Sequence, residues 1–316
     1  METANKRGLR THAAIYQYYA TLVGYDVSRL VVLNRLVRAF IKVASAQELL
    51  KVAREQVEVA KESLRIATKK VEAGKVSLIQ QSKAEVAYSS ALVDLETAEV
   101  NLKNDKRRLS LQWANPMPDF EEVLFSFYDI SVPENFENYL SHLCNQAEVV
   151  QSLYNTLDAE ATWKLEKANR IPNVNVQVGY KANYEEDNQG MALLVTVPLP
   201  FFNRNQGNIG RAYYDMLKTG EQGKQLWLIL ESKLAISYEE WMLAYQQASK
   251  IKSLSLPQAT QSLYLAQRGY QEGKLAYLDV LDAQRTLFDI KASYIQALMN
   301  YHSKQADIDY LNSQME

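Results

Sequence analysis

Glycine and proline are scarce in this chain: 316 residues hold 11 Gly and 7 Pro, where average usage would supply roughly 22 and 16. That shortage excludes disorder, collagen-like repeats and the many tight turns of an all-β protein. Cysteine is almost absent as well. Cys144 stands alone, so no disulfide within the chain exists and the redox compartment stays open. Neither sign of charge dominates. A formal net charge of −2 gives no basic surface that would direct the reading toward nucleic acid. Long apolar runs are missing too. The longest uncharged stretch, Asn188–Asn203, is interrupted by Pro198 and Pro200, too short and too broken for a spanning helix. The first residues, METANKRGLRTHAAIYQYY, lack the apolar core of a secretory signal.

Catalytic and metal-binding constellations are equally absent. His12, His142 and His302 are scattered, and His142-Leu-Cys144 is a lone H-x-C, far from a structural zinc pattern. The methionines form no soft copper cluster, and no phosphate-binding or dinucleotide-binding glycine motif occurs. No enzyme and no cofactor are therefore expected, and energy for any transport has to come from a partner.

What the chain does contain is helical periodicity. From Leu50, apolar residues fall at Ala53, Val57, Ala60, Leu64, Ala67 and Val71, alternating three and four apart, as in a heptad seam. Every second seam position is Ala, which lets two helices approach closely. Both an amphipathic bundle helix and a long coiled coil fit that pattern. After Gly74, Ala84, Tyr88, Ala91, Leu95, Ala98, Leu102 and Leu109 repeat it. A first helix over 11–72 spans roughly 90 Å and its return over 78–111 roughly 50 Å, lengths that fit an extended hairpin. The segment 115–133 breaks the pattern with Pro116, Pro118, Pro133 and a run of Phe and acids, and reads as a connector. A third helix is predicted over 136–169, ending ahead of Pro172.

The period then changes. Val174, Val176, Val178 and Tyr180 alternate with polar or small residues, and Met191, Leu193, Val195, Val197 and Leu199 do the same after a polar loop, 182–189. Two strands with one apolar face each are predicted. They suit a membrane β-barrel and equally a soluble hairpin with one buried face. Helix resumes over 207–271, with Pro257 expected to kink or interrupt it, and ends with a helix over 277–311.

The chain also repeats itself. At an offset of 199, Gly74-Lys75 falls on Gly273-Lys274, Leu64 on Leu263, and Ala67, Ala84 and Ala98 on Ala266, Ala283 and Ala297. Gly8 falls on Gly207 and Ala13 on Ala212. Met1 then corresponds to Pro200, so the first repeat lacks the helix and strand pair of the second. The expectation is a chain that begins one half-repeat late, unable by itself to form a functional channel, because two strands per protomer leave unpaired edges in lipid.

A helix, a strand pair and a long helical hairpin, repeated, resembles the TolC family of bacterial outer-membrane efflux channels. The resemblance rests on GYQEGKLAYLDVLDAQRTL (269–287), its degenerate partner KVEAGKVSLIQQSKAEVAY (70–88), and VPLPFFNRNQGNIGRA (197–212). The last string looks most like the CzcC-like branch, which works in heavy-metal efflux. The resemblance implies a mainly α fold: long antiparallel coiled-coil hairpins as an α-barrel subunit, with a β-hairpin contributing to a trimeric transmembrane β-barrel. The implied organisation is a first hairpin over 1–112, a connector over 113–135, a helix over 136–171, a strand pair over 172–200, and a second hairpin with its tail over 201–316. It further implies an outer-membrane and periplasmic homotrimer, an exit duct meeting outer-membrane lipid, a periplasmic adaptor and an inner-membrane pump of the resistance-nodulation-division type.

On that resemblance Gly74, Lys75, Gly273 and Lys274 are hairpin-tip residues facing the adaptor, or a plain turn with solvated lysines. Tyr270, Asp279 and Asp282 match positions that narrow a periplasmic gate, or solvate a helix face and cap the turn. The family's Arg–Asp gate pair is not matched, since Leu275 and Gln80 hold those positions, and Lys83, the repeat partner of Asp282, is a candidate substitute. Pro198 and Pro200 mark the passage from strand to helix, with Phe201 and Phe202 at the membrane interface. A coiled-coil interaction protein derived from this family is the alternative.

Overall fold

The computed structural model describes residues 2–183 and 188–313. Seven helices and two strands follow one another: α1 (Lys6–Glu72), α2 (Leu78–Ser110), α3 (Phe136–His142), α4 (Ala147–Asn169), β1 (Asn175–Asn183), β2 (Asn188–Thr196), α5 (Gln206–Lys250), α6 (Leu256–Gln271) and α7 (Tyr277–Asn312). They form two compact units. One holds the chain up to Arg29, Leu140–Lys233 and the residues from Asn312 on; the other holds Leu30–Tyr139 and Leu234–Leu311.

The second unit is built on the two hairpins, and their seams are the core. Ala67 and Ala84 are wholly buried, and Leu50, Ala53, Val57 and Ala60 nearly so. Ala67 of α1 and Ala84 of α2 share one core with Ala259, Leu263 and Ala266 of α6 and Val280, Ala283 and Leu287 of α7. Alanine at alternate seam positions is what permits this, because a methyl group lets backbones close in where Leu would hold them apart. The off-seam apolar residues of α2, such as Leu78, Ile79 and Val86, stay exposed.

The connector, residues 113–135, has almost no regular structure yet is firmly placed. Gln47 of α1 pairs with the backbone of Val123 from both ends of its amide: Nε2 donates to the carbonyl at 3.2 Å and Oε1 accepts from the N–H at 2.9 Å. Tyr301 of α7 brackets Ser131 in the same way, donating to its carbonyl at 2.9 Å and accepting from its N–H at 3.1 Å. His302 Nε2 lies 3.0 Å from the Phe127 carbonyl, and Phe127 itself is buried against Ala44, Tyr294 and Leu298. An irregular segment has no ladder for its backbone polar groups, so side chains of the neighbouring helices supply the partners.

Pro257 does interrupt its helix, in a particular way. Without an N–H it leaves the Ser253 carbonyl with no donor four residues on. Residues Ile251–Ser255 widen into a π-turn, in which Leu256 N–H donates to Ile251 O, and the axis then continues as α6. The helix predicted over 136–169 is not continuous. It stops at His142, passes a 3-10 turn (Leu143–Asn145), and restarts after Gln146, whose backbone is extended (φ −64°, ψ 137°). The Gln146 side chain accepts from Glu148 N and Val149 N, so a glutamine does the work that Ser, Thr, Asp or Asn usually does at a helix start. That unusual cap is why the break does not stand out in the sequence.

In the first unit α4 lies against the beginnings of α1 and α5. Gly24 and Gly223 mark close approaches, since a Cβ on Gly24 would stand 2.6 Å from Gln151 Nε2 and one on Gly223 3.0 Å from Ser152 Oγ. Two left-handed asparagines, Asn5 (φ 55°) and Asn205 (φ 62°), precede α1 and α5, and each carbonyl accepts the N–H four residues on. They are 200 residues apart, against 199 at the hairpin tips, so the repeat slips by one residue along its long helices. Both starts are tied to the end of α4: Lys6 Nζ to Ile171 O at 2.5 Å and Asn173 Oδ1 at 2.7 Å, Asn205 Nδ2 to Glu166 Oε2 at 2.6 Å.

Candidate functional site

The two hairpin tips carry the residues singled out from the sequence, and they are the same structure twice. Gly74 (φ 67°) and Gly273 (φ 77°) are both left-handed. Gly74 N donates to Val71 O at 2.9 Å and Lys75 N to Lys70 O at 2.8 Å; Gly273 N donates to Tyr270 O at 3.1 Å and Lys274 N to Gly269 O at 2.8 Å. Each set is the Schellman pair, which satisfies the last carbonyls of a helix and needs a residue free of Cβ strain. Nothing lies within 4 Å of a Cβ added at either glycine, so backbone geometry alone demands Gly there.

Around this shared frame the tips differ. Lys274 pairs with Glu272 at 2.6 Å, and Arg268 reaches the same carboxylate at 3.0 Å. Those two bonds hold the Glu272 carboxyl below its ordinary value. Lys75 has no carboxylate partner among the described residues. Asp279 Oδ2 accepts from Ala276 N at 2.8 Å, capping the start of α7. Asp282 and Lys83 are exposed, and neither enters an ion pair among the described residues.

Tyr270 is buried, not exposed at the tip surface. Its hydroxyl donates to Gln80 Oε1 of α2 at 3.1 Å, its ring lies 3.9 Å beneath Lys70 Nζ, and its carbonyl accepts from that ammonium. Tyr277 stands 5.4 Å away, ring to ring, and burial pushes its phenol up to about 12. Gln80 and Leu275 occupy the two positions where the family's ion pair is missing. Gln80 instead takes the Tyr270 bond, while Leu275 fills the space beside Gly269, where a Cβ would meet it at 2.6 Å. Lys70 and Tyr277 carry no sequence signature that marks them; only the juxtaposition of the two tips reveals their roles.

The strand pair forms the second candidate surface. β1 and β2 are antiparallel, with Val176 opposite Val195, Val178 opposite Leu193, and Tyr180 opposite Met191. Directly opposed residues share a face, so the register gathers Val176, Val178, Tyr180, Met191, Leu193 and Val195 on one side and sets Gln177 opposite Leu194, Gly179 opposite Ala192 and Lys181 opposite Gly190 on the other. Among the described residues that apolar face stays largely uncovered: Val178 and Leu193 are each 70% exposed and Met191 84%. β2 stops at Thr196, ahead of Pro198 and Pro200, and Phe202 is 95% exposed. Of the loop 182–189, residues 184–187 lie outside the described residues. Among the described residues no helix is long and apolar enough to cross a membrane, and no group of three or more His, Cys, Asp or Glu is placed to hold a metal.

Seamed α-hairpins with matched tips and a strand pair bare on its apolar side define a class: outer-membrane channels with helical extensions. The chain belongs to the outer membrane efflux protein family, whose pattern matches residues 1–115 and 139–311, a family of channels and not of enzymes. It is 30% identical to the cobalt-zinc-cadmium resistance protein CzcC of Cupriavidus metallidurans, over 98% of this chain and 74% of that protein. The fold is similar to the outer membrane protein VceC of Vibrio cholerae (TM-score 0.86, 18% identity, 100% of this chain, 78% of that one). It is likewise similar to the transmembrane channel CusC (TM-score 0.85, 16% identity, 99% of this chain, 75% of that one).

Proposed function

We propose that this protein is the exit-duct subunit of a tripartite efflux system of the resistance-nodulation-division type. It works as a homotrimer, giving strands to a shared outer-membrane barrel and helices to a periplasmic tube. Its tips, at Gly74, Lys75, Gly273 and Lys274, face a periplasmic adaptor and, through it, an inner-membrane pump. The cargo is heavy-metal cations or small toxic compounds, a reading supported by the likeness to a cobalt-zinc-cadmium resistance protein. The duct is passive and closes at the tips. Tyr270 draws the tips together through Gln80. Asp279 and Asp282 add negative field, which favours cations without coordinating them.

The register-matched, uncovered apolar face of β1–β2 is the observation that carries this reading. Leaving a Val, Leu or Met side chain in water forfeits roughly 1.5–3 kcal/mol, and Val176, Val178, Met191, Leu193 and Val195 together approach the net stability of a whole domain. Lipid removes that cost, and the face is about as long as a barrel strand's lipid-facing stretch.

The test is site-directed labelling of protein reconstituted in vesicles. In a Cys144→Ser background, fluorophores at Val178 and Leu193 are expected to be quenched by doxyl lipids, and fluorophores at Gln177 and Lys181 by iodide. Iodide quenching of both faces alike would remove the membrane assignment.

A further inference from the structure

The two tips are copies of one turn, which makes each a control for the other. Across residues 62–83 the first tip carries five basic and two acidic side chains; across the equivalent 261–282 the second carries two basic and three acidic. A cleft of about 560 Å³ opens between them, with Arg65, Lys69, Lys70 and Lys75 on the first side and Tyr270 and Glu272 on the second. Glu272, the acid at its edge, is already engaged by Arg268 and Lys274. Arg65 is held by Glu62 at 2.5 Å. That leaves three ammonium groups, on Lys69, Lys70 and Lys75, with no carboxylate in ion-pair range among the described residues. Lys70 is fixed within the cleft by the Tyr270 carbonyl and ring. Burial, and to a lesser degree the neighbouring charge of Lys75, hold its ammonium below the ordinary lysine value.

We propose that this cleft is a recognition site for carboxylates, and that its occupant is an acidic segment of the periplasmic protein partner. Several ammonium groups converging on one concavity repel each other until an anion enters. A partner that brings two or three Asp or Glu side chains relieves that repulsion and gains charge-assisted hydrogen bonds. The second tip, neutralised within itself, offers no such gain. Partner recognition is therefore polar along the chain: the Lys75 tip reads charge, and Lys274 does not. The inference rests on the exit-duct reading for the existence of a partner, and adds the chemistry by which it is chosen.

Two cross-linkers applied to the protein in its own cells separate the questions. A benzophenone amino acid at Leu78, exposed beside the first tip, reports any partner whatever its chemistry. Carbodiimide joins an amine to a carboxylate with no spacer, so only groups in direct contact are linked, and mass spectrometry locates the bond. Isopeptide bonds from Lys69, Lys70 or Lys75 to Asp or Glu of the protein that benzophenone captures are expected. The triple variant Lys69→Gln, Lys70→Gln, Lys75→Gln should reduce capture of that partner by about tenfold, the weight of one strong charge-assisted pair. The double variant Arg268→Gln, Lys274→Gln should leave it within about twofold. Helix content by circular dichroism checks that both variants fold.

Benzophenone capture without carbodiimide bonds to these lysines would overturn the carboxylate site and leave the exit-duct reading standing. Carbodiimide bonds to a second copy of this chain would overturn it in favour of self-association. Absence of any captured partner would remove both.

Discussion

Gly74 and Gly273 sit where an L side chain is penalised by its own backbone, and nothing around them adds to the cost. Gly74→Ala or Gly273→Ala is expected to destabilise by about 1 kcal/mol each, and Asn in either place by less, as measured by urea unfolding. His302 is a second residue whose behaviour follows from its position. It is buried under Phe125 and Phe127, with ring centroids at 4.7 and 5.7 Å. Burial lowers its pKa, while the Phe127 carbonyl, Gln305 and Asp129 oppose that shift less strongly. A folded-state pKa below the unfolded value means that the unfolded chain binds the proton first. Stability is therefore full above about 6.5, the ordinary imidazole value, and declines as pH falls below it toward the folded pKa. His302→Gln should remove that component. Asp158 and Asp309 are also shifted, so the quantity to read is the difference in Tm change between wild type and variant from pH 7.5 to pH 5.

At the scale of elements, seams and tips were legible because they obey local rules. A three-and-four spacing survives any tertiary context, and a Gly at matched turns marks a left-handed residue wherever it lies. The strand pair was legible as alternation, although alternation alone leaves lipid and a protein core equally open as the cover. Other elements were not legible, since their causes lie far away in sequence. The connector is held by residues of α1 and α7 some 76 and 170 positions away, and no pattern within 113–135 announces Gln47 or Tyr301. Tyr301→Phe removes both bonds to Ser131. Because Ser131 still reaches water, the expected cost is about 1 kcal/mol. That corresponds to cleavage of the connector by a trace of protease roughly fivefold faster. Unchanged cleavage would show that Gln47 and Phe127 suffice to hold it.

On the exit-duct proposal, the whole molecule needs contacts that hold its tips closed. Tyr270 and Gln80 join the tips within one chain, whereas Lys83 and Asp282 remain exposed and unpaired among the described residues. We expect those two to meet when the duct is assembled and closed. In a Cys144→Ser background, Lys83→Cys with Asp282→Cys should then form a disulfide in the cells that make the protein, and absence of that disulfide by mass spectrometry under oxidising conditions would dismiss Lys83 as a closing contact. The 199-residue repeat, the coiled-coil seams, the left-handed turns and the two apolar strand faces were set by the sequence itself, because each depends on residues within a few turns of one another. Tertiary structure decided which side chains of the two copies meet. The tips already differ in sequence, Glu272 standing where the first repeat has Ala73, but only packing set Lys70 against the Tyr270 carbonyl and ring and joined the Tyr270 hydroxyl to Gln80. Those contacts join residues 190 and 200 positions apart, and no spacing along the chain encodes them.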